Sequence, residues 1–473
     1  MSISEGVFAQ IHATLAGPGS VFVTRLAVML GAGPLHFSLL AAAGQFSLLM
    51  QPLGVAITRR KTSRKRTVLL LAAVGRGLAP VFGLLPFLLS GRIALSLFLM
   101  LFVASASLLS LSANVWIGWI GDLVPPVIRG RFFAGRNQVL MLAGLLSGYV
   151  FGAVADLYSE DRGWIGSRIA GLTGLSPDAS GLPCAMLFIF MSAGVIGLLG
   201  LLILRRQPEN AKPVEDEGLL SLLASSLGDS NFRRLLFFAF WWMLAIGVGA
   251  PFWQPYMMTV LRMGMLEIFA YGTVSTAGAL ASVRIWGRVI DRKGNRSSMA
   301  FAIFLGCINP LIWVIADRST LWMIYCEAFL SGVMWSCVGV VMANFVLAIA
   351  PPGKGQVYSG IFAAVSGAGM ILTMLGSGLL MPGELRLGSR VLHPEQVLFL
   401  ATACLRLTAE VPLLFVREPR IAVPVRTWAG MMQIFQKVAL LPVGTLRRVG
   451  RALTRKEKHS LRRKGHGMRG EER

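Results

Sequence analysis

The chain has 473 residues, 55 % of them hydrophobic and only 14 % charged, with a mean hydropathy of +0.67 and a formal net charge of +23. That balance is too apolar for an aqueous globular surface, and it removes the nucleic-acid reading that the charge alone invites. An all-α polytopic membrane protein is expected, and the question for its 45 Lys and Arg is which side of the bilayer they occupy.

Apolar runs of roughly 20 residues are long enough to cross the hydrocarbon layer. Twelve are predicted, over about 8–31, 36–57, 67–90, 94–120, 134–156 and 183–204, then 233–257, 264–287, 297–317, 321–347, 357–381 and 395–416. They divide into two six-helix bundles within residues 1–204 and 233–417, joined by a polar cytoplasmic linker over 205–232. Residues 418–473 form a basic tail. Its apolar and basic residues segregate at helical spacing around Pro442, which predicts a surface helix on anionic lipid followed by a disordered end.

The basic residues follow the even-numbered helices. Only Arg92, Arg162, Arg168, Arg262, Arg318, Arg386 and Arg390 fall in the opposite loops, so the positive-inside rule places both termini in the cytoplasm, with the cell's inner membrane as the expected location. The start, "MSISEGVFAQ", lacks a basic n-region and a small-residue cleavage site, so the first helix is expected to serve as its own insertion signal. The five cysteines all lie within predicted helices without CxxC spacing and read as structural.

Three echoes between the halves indicate a repeat. Gly54 in "GVAITRRKTSRKR" matches Gly287 in "GRVIDRKGNR", each after the second helix of its half, and "DLVPPVIRGR" (122–131) matches "AIAPPGKGQ" (348–356) after the fourth. Helix five carries Gly144, Gly148 and Gly152 where helix eleven carries Gly369, Thr373 and Ser377. Small residues on one face permit close helix contact.

The register G-x-x-x-D-R-x-G-x-R at Gly287, Asp291, Arg292, Gly294 and Arg296 resembles the signature loop of the major facilitator superfamily. The first-half copy keeps Gly54 and Arg59 but has Thr58 in place of the Asp and Lys61 in place of the second Gly. Asp122, Arg129 and Arg131, in the pattern D-x6-R-G-R, resemble the loop after helix four in many members. The resemblance implies two pseudo-symmetric six-helix bundles rocking about a central site. It also implies a gating role for these loops, with Asp291 facing the start of helix five near Arg131 and Arg136.

Ionisable groups inside a bundle are costly unless paired, so each one is a functional candidate. Arg406 and Glu410, four residues apart, are expected to neutralise each other, and Arg76 to pack or snorkel. In the resembled family helices one, four, seven and ten line the cavity. Arg25 could there bind an anionic solute group and Glu327 carry a coupling proton, or the two could pair with each other. Asn114, Trp116, Trp241, Trp242, Gln254 and Trp335 complete the candidate lining, with Trp253 as an interfacial anchor or wall and Ser336 and Asn344 as further polar points. They point to a solute with an apolar or ring-containing body.

No P-loop, HExxH or metal-spaced Cys/His set occurs, so no cofactor, metal or catalytic group is assigned. The expected function is secondary active transport of a small solute by alternating access in a monomer, coupled to protons and not driven by ATP, with the bilayer and its anionic cytoplasmic leaflet as partners. A transport-inactive relative of the same fold that assists assembly of a membrane complex is the alternative, and an integral membrane enzyme the remote one.

Overall fold

A computed structural model describes residues 2–49, 63–174, 181–209, 226–351, 354–388 and 390–418. Gly54, Arg59, the middle of the linker, and the tail beyond Glu418 lie outside the described residues, as do the side chains of Asp122 and Arg129.

The first span is α1 (Ser2–Ala16) and α2 (Val21–Met29), the second α3 (Pro34–Leu49), and the third α4 (Arg64–Gly77) with α5 (Ala79–Leu88). The fourth and fifth are α6 (Gly91–Leu123) and α7 (Pro126–Leu157). A short outer helix, α8 (Gly163–Thr173), precedes the sixth span, α9 (Leu182–Leu204). In the second half, α10 (Ser230–Gly247) and α11 (Trp253–Thr259) make the seventh span, followed by α12 (Met265–Lys293), α13 (Asn295–Ile315), α14 (Leu321–Ile349) and α15 (Gly355–Leu379). A hairpin of β1 (Leu385–Leu387) and β2 (Arg390–Leu392) pairs Arg386 with Val391 and leads into α16 (Pro394–Thr408) and α17 (Glu410–Phe415), the twelfth span.

Nine helices among the described residues are long and apolar enough to cross a bilayer. The first and seventh spans miss that measure because each is broken, and the second because its described part is short. Thus twelve helices cross as two bundles of six. Their packing repeats: the pairs one–five, one–six, two–four and three–six recur as seven–eleven, seven–twelve, eight–ten and nine–twelve. The halves meet where five packs on eight and two on eleven.

The small residues noted in the sequence are used at these contacts. A Cβ on Gly148 or Gly152 would meet the Phe269 ring of α12, one on Gly144 would meet Gln10 and Thr14 of α1, and one on Gly369 would meet Phe240 of α10. Close approach of this kind lets dispersion hold helices together where lipid supplies no hydrophobic drive.

The breaks in the first and seventh spans lie at equivalent places. Gly17, Pro18 and Gly19 interrupt the first, where Gly19 has φ +78° and Ser20 Oγ accepts from Phe22 N at 3.2 Å to start α2 again. Gly249 and Pro251 interrupt the seventh. Discontinuous helices expose backbone groups that a hydrocarbon environment forbids, so such breaks belong beside a cavity.

Arg76 does not snorkel. Its Nη2 meets Glu5 Oε1 at 2.9 Å and its Nη1 donates to Gly197 O at 2.8 Å, with both side chains buried. A pair so placed is costly to halve. Glu5→Gln is therefore expected to lower stability by about 2 kcal/mol, because the guanidinium keeps its backbone acceptor but loses its counter-charge. Thermal unfolding of the purified protein checks this, and an unchanged melting temperature would contradict it.

Candidate functional site: a cavity between the two halves

Where the broken helices meet, a cavity of about 570 Å³ opens between the bundles. Volumes of this order suit a small organic ligand. Its walls are largely apolar and carry several rings: Phe37 and Phe102 from the first half, and Trp253, Phe269, Trp313 and Trp335 from the second. Trp253 is stacked on Phe399 at 3.8 Å with a 4° interplanar angle, so its ring is held rigidly. The polar points are few: Ser20, Thr24, Gln254, Tyr271, Asn309, Ser331, and the charged pair Glu327 and Arg406.

Glu327 is 2 % exposed, on α14, and accepts a hydrogen bond from Tyr271 Oη at 3.0 Å. Arg406 projects from α16 between the helices, where its Nη1 donates to Gly306 O at 2.9 Å. The two opposite charges line one cavity, and no ion pair joins them.

One face of the cavity is sealed. Below, the face carrying the N-terminus and the Lys/Arg-rich loops is called the basic face. At the opposite face, the Asp156 carboxylate at the end of α7 accepts from Met265 N at 2.7 Å and Leu266 N at 2.9 Å, capping the start of α12 across the boundary between the halves. Glu267 answers by accepting from Trp164 N at 2.6 Å at the start of α8. A helix N-terminus offers unpaired N–H groups and a positive dipole end, so each carboxylate is well matched. Gly163 and Gly264 are the residues that let these backbones approach, since a Cβ on Gly163 would strike the Glu267 carboxylate and one on Gly264 the Arg162 carbonyl. Deeper, Thr24 Oγ1 donates to Gln254 Oε1 at 2.7 Å, and Gln254 Nε2 donates to Gly19 O at 2.9 Å.

The cores tell the same story. Toward the opposite face one apolar cluster runs through both halves, joining Phe22, Phe82 and Met186 to Tyr256, Met257, Trp313 and Phe399. Toward the basic face the clusters are separate, one around Val115 and Trp119 and another around Trp242, Trp286 and Phe345. A Cβ on Gly118 or Gly339, on the fourth and tenth spans, would meet nothing within 4 Å. Among the described residues the halves therefore share one core at the opposite face and have separate cores at the basic face, apart from the small cluster of Ala42 with Ile371 and Met374 between α3 and α15.

Of the residues expected to line the site, Gln254, Glu327 and Trp335 do so, and so does Trp253. The others are elsewhere. Arg25 lies outside the lining, its Nη2 donating to Ser159 Oγ at 2.7 Å, so the alternative in which it pairs with Glu327 is corrected. Trp116 lies under Arg136, whose guanidinium carbon is 4.5 Å from the ring centroid, and nearby Asn114 has an unpartnered Nδ2. Trp242 is fully buried in the second-half core, and Trp241 Nε1 donates to Thr408 Oγ1 at 2.9 Å. Ser336 bonds Ser282 at 2.8 Å, and Asn344 donates to Asn295 at 3.1 Å. The expected Arg406–Glu410 pair is also corrected: no ion pair joins the two, and Arg406 turns instead to Gly306 and the cavity, although the chain stays helical through Ala409.

Among the described loop residues no latch forms. Asp291 and Arg292 are exposed in the last turn of α12, Arg131 is exposed, and Arg136 is occupied by Trp116, so the Asp291 contact expected with Arg131 and Arg136 is absent. With separate cores at the basic face, the halves hold the two partners apart. Gly287 faces open space, and Gly294 has φ +83°, a turn that only glycine makes without strain. Arg296 N and Asn295 N donate at 3.1 and 2.8 Å to Glu418, which caps α13 from just beyond the twelfth span.

Tyr271, Asn309, Trp313 and the cavity role of Arg406 were missed in the sequence, as were Asp156 and Glu267. The available signal for the last two was an acid at the end of one span and at the start of another, within the first turn of a helix.

Solved structures of low identity share this architecture. A variant of the nucleoside transporter NupG superposes with a TM-score of 0.63 at 11 % identity, covering 88 % of this chain and 99 % of that one. A D-xylose-proton symporter gives 0.62 at 14 %, covering 88 % and 96 %, and the inward-open xylose transporter XylE from E. coli gives 0.59 at 14 %, covering 92 % and 98 %. No curated protein matches the sequence significantly. The profile of the Major Facilitator Superfamily matches residues 11–374, and the chain belongs to that superfamily.

Proposed function

We propose that the protein is a secondary active transporter that carries a small solute across the cell's inner membrane by alternating access. The observation that carries this reading is the largely apolar cavity lying between two bundles whose described residues share a core at one face and have separate cores at the other. With the basic face in the cytoplasm, as the positive-inside rule favours, this state is open inward. The solute meets Glu327, Gln254 and Trp335 in the cavity, and Asp291, Arg131 and their neighbours come together when the basic face closes.

Glu327 is the candidate proton carrier. It is the carboxylate of the cavity lining, is nearly buried, and has a hydroxyl partner that remains compatible with a protonated acid. A proton gradient can then drive the solute through a monomer without a cofactor. In liposomes, Glu327→Gln is expected to abolish uptake driven by an imposed pH gradient, by a factor of more than about 100, while solute exchange at equal pH survives. Gradient-driven uptake that persists in Glu327→Gln would contradict the assignment. The transport-inactive assembly role is less well supported, because it gives no account of a ligand-sized cavity with one state's gate closed.

A further inference from the structure

The charged wall of the cavity carries hydrogen-bonding groups that the protein itself leaves unused. Arg406 is 4 % exposed, and although its Nη1 is held by Gly306 O, its Nε has no partner. Asn309 stands three residues after Gly306 on α13, so its side chain shares the helix face over which the guanidinium lies. It is 3 % exposed, and neither its Nδ2 nor its Oδ1 has a partner. Both residues line the cavity.

Buried polar atoms in folded proteins are nearly always paired, and each orphan costs on the order of 1–3 kcal/mol. Orphans gathered at one wall of a ligand-sized cavity mark the groups that a ligand satisfies. Two of the three are donors, and one belongs to a guanidinium whose charge no carboxylate in the lining neutralises by contact, since Glu327 is turned to Tyr271. A cation would meet the field of Arg406, and a neutral solute would leave its free N–H without a charged acceptor, because Glu327 acts on the guanidinium through space and not by contact. A carboxylate accepts from the guanidinium and the amide together, which is the strongest geometry available to an arginine. The remaining Oδ1 of Asn309 suits a hydroxyl or N–H next to that carboxylate. The flat Trp253 and Trp313 surfaces suit a planar body.

We infer that the transported solute is a ring-bearing organic anion whose carboxylate binds between Arg406 and Asn309. The inference rests on the transport reading above and names the chemistry of its substrate. The residues concerned come from the ninth and twelfth spans, outside the four helices that the sequence placed around the pathway.

The test uses the purified full chain and a probe set of aromatic acids (benzoate, 3-phenyllactate and indole-3-acetate), each with its uncharged amide, read by thermal unfolding. Acids of the set are expected to raise the melting temperature, with each amide at least tenfold weaker. Asn309→Ala leaves no buried partner unpaired, so it should fold like the parent and bind the acids about tenfold more weakly. Arg406→Lys, which keeps the charge but loses the planar fork, should weaken them further, whereas Arg406→Gln should lose the distinction between acid and amide. Equal stabilisation by acids and amides, no stabilisation by any acid of the set, or acid binding indifferent to both Asn309→Ala and Arg406→Lys would overturn the inference. Counterflow of a radiolabelled probe in liposomes separates the two readings. Acid-selective binding without counterflow would overturn transport and leave the anion site standing. Counterflow of a neutral amide that Arg406→Lys does not touch would overturn the anion site and leave transport standing.

Discussion

Gly332→Val is expected to prevent the second bundle from assembling. Any Cβ at Gly332 would strike the Ser275 carbonyl oxygen on the facing helix and stand 3.0 Å from Ala279 N. The contact is reciprocal, because a Cβ at Gly278 on α12 would strike the Phe329 carbonyl of α14. The obstacle is backbone on both sides, so no rotamer change relieves it and the helices must separate. Overpacking usually costs about 1–3 kcal/mol, and a backbone clash at a helix crossing belongs at or beyond the top of that range. Yield and monodispersity on size exclusion should collapse, with Gly339→Ala on the same helix as the control, since a Cβ there meets nothing within 4 Å. A well-folded Gly332→Val with parental melting temperature would show that the eighth and tenth spans do not cross as described.

Asp156→Ala is expected to release the sealed face. The carboxylate is 1 % exposed and makes two charge-assisted bonds to Met265 N and Leu266 N, the only link of that kind described here between the end of α7 and the start of α12. Hydrogen bonds to charged groups are each worth about 1.5–3 kcal/mol, and removal leaves two N–H groups of a helix start unpaired. A loss of about 3 kcal/mol corresponds to a shift of roughly a hundredfold between the two access states. Single cysteines placed at Gly118 and Gly339 would report it: both positions should react more slowly with a membrane-impermeant thiol reagent as the basic face closes in the variant. Asp156→Asn should be intermediate, because its amide oxygen can still accept one bond. Unchanged labelling would show that the apolar cluster around Phe22 and Tyr256, with the Glu267 and Gln254 bonds, holds this face shut without Asp156.

The fold was legible in the sequence because lipid makes severe demands. Each span had to be an apolar helix, and the loops after even-numbered spans had to carry the arginines, so the count of twelve and the repeat could be read without any contact being known. The small residues at Gly144, Gly148, Gly152 and Gly369 were legible for the same reason, and their partners are the Gln10 and Thr14 side chains and the rings of Phe269 and Phe240 on neighbouring spans. The site was harder to read. Gln254, Glu327 and Trp335 could be placed by the family resemblance, yet Arg25 sits just beside the gate and serves Ser159 instead. Arg406 was misjudged because helical spacing says which side chains can meet and not which acceptor a guanidinium takes, and here it takes the Gly306 carbonyl of the neighbouring span. Tyr271 and Asn309 carry no pattern at all: a lone polar residue in an apolar span looks the same in sequence whether it points at a cavity or at a neighbouring carbonyl.

The amide of Gln254 bridges Thr24 and the Gly19 carbonyl while also forming part of the cavity wall. Those bonds occupy its oxygen and one of its N–H groups, so a solute that claims the same atoms must first take them from the seam between the halves. Under the proposed transport cycle, occupancy and the seam thus compete for a single side chain, and a solute bound there would loosen the contact between Gln254 and the first half directly.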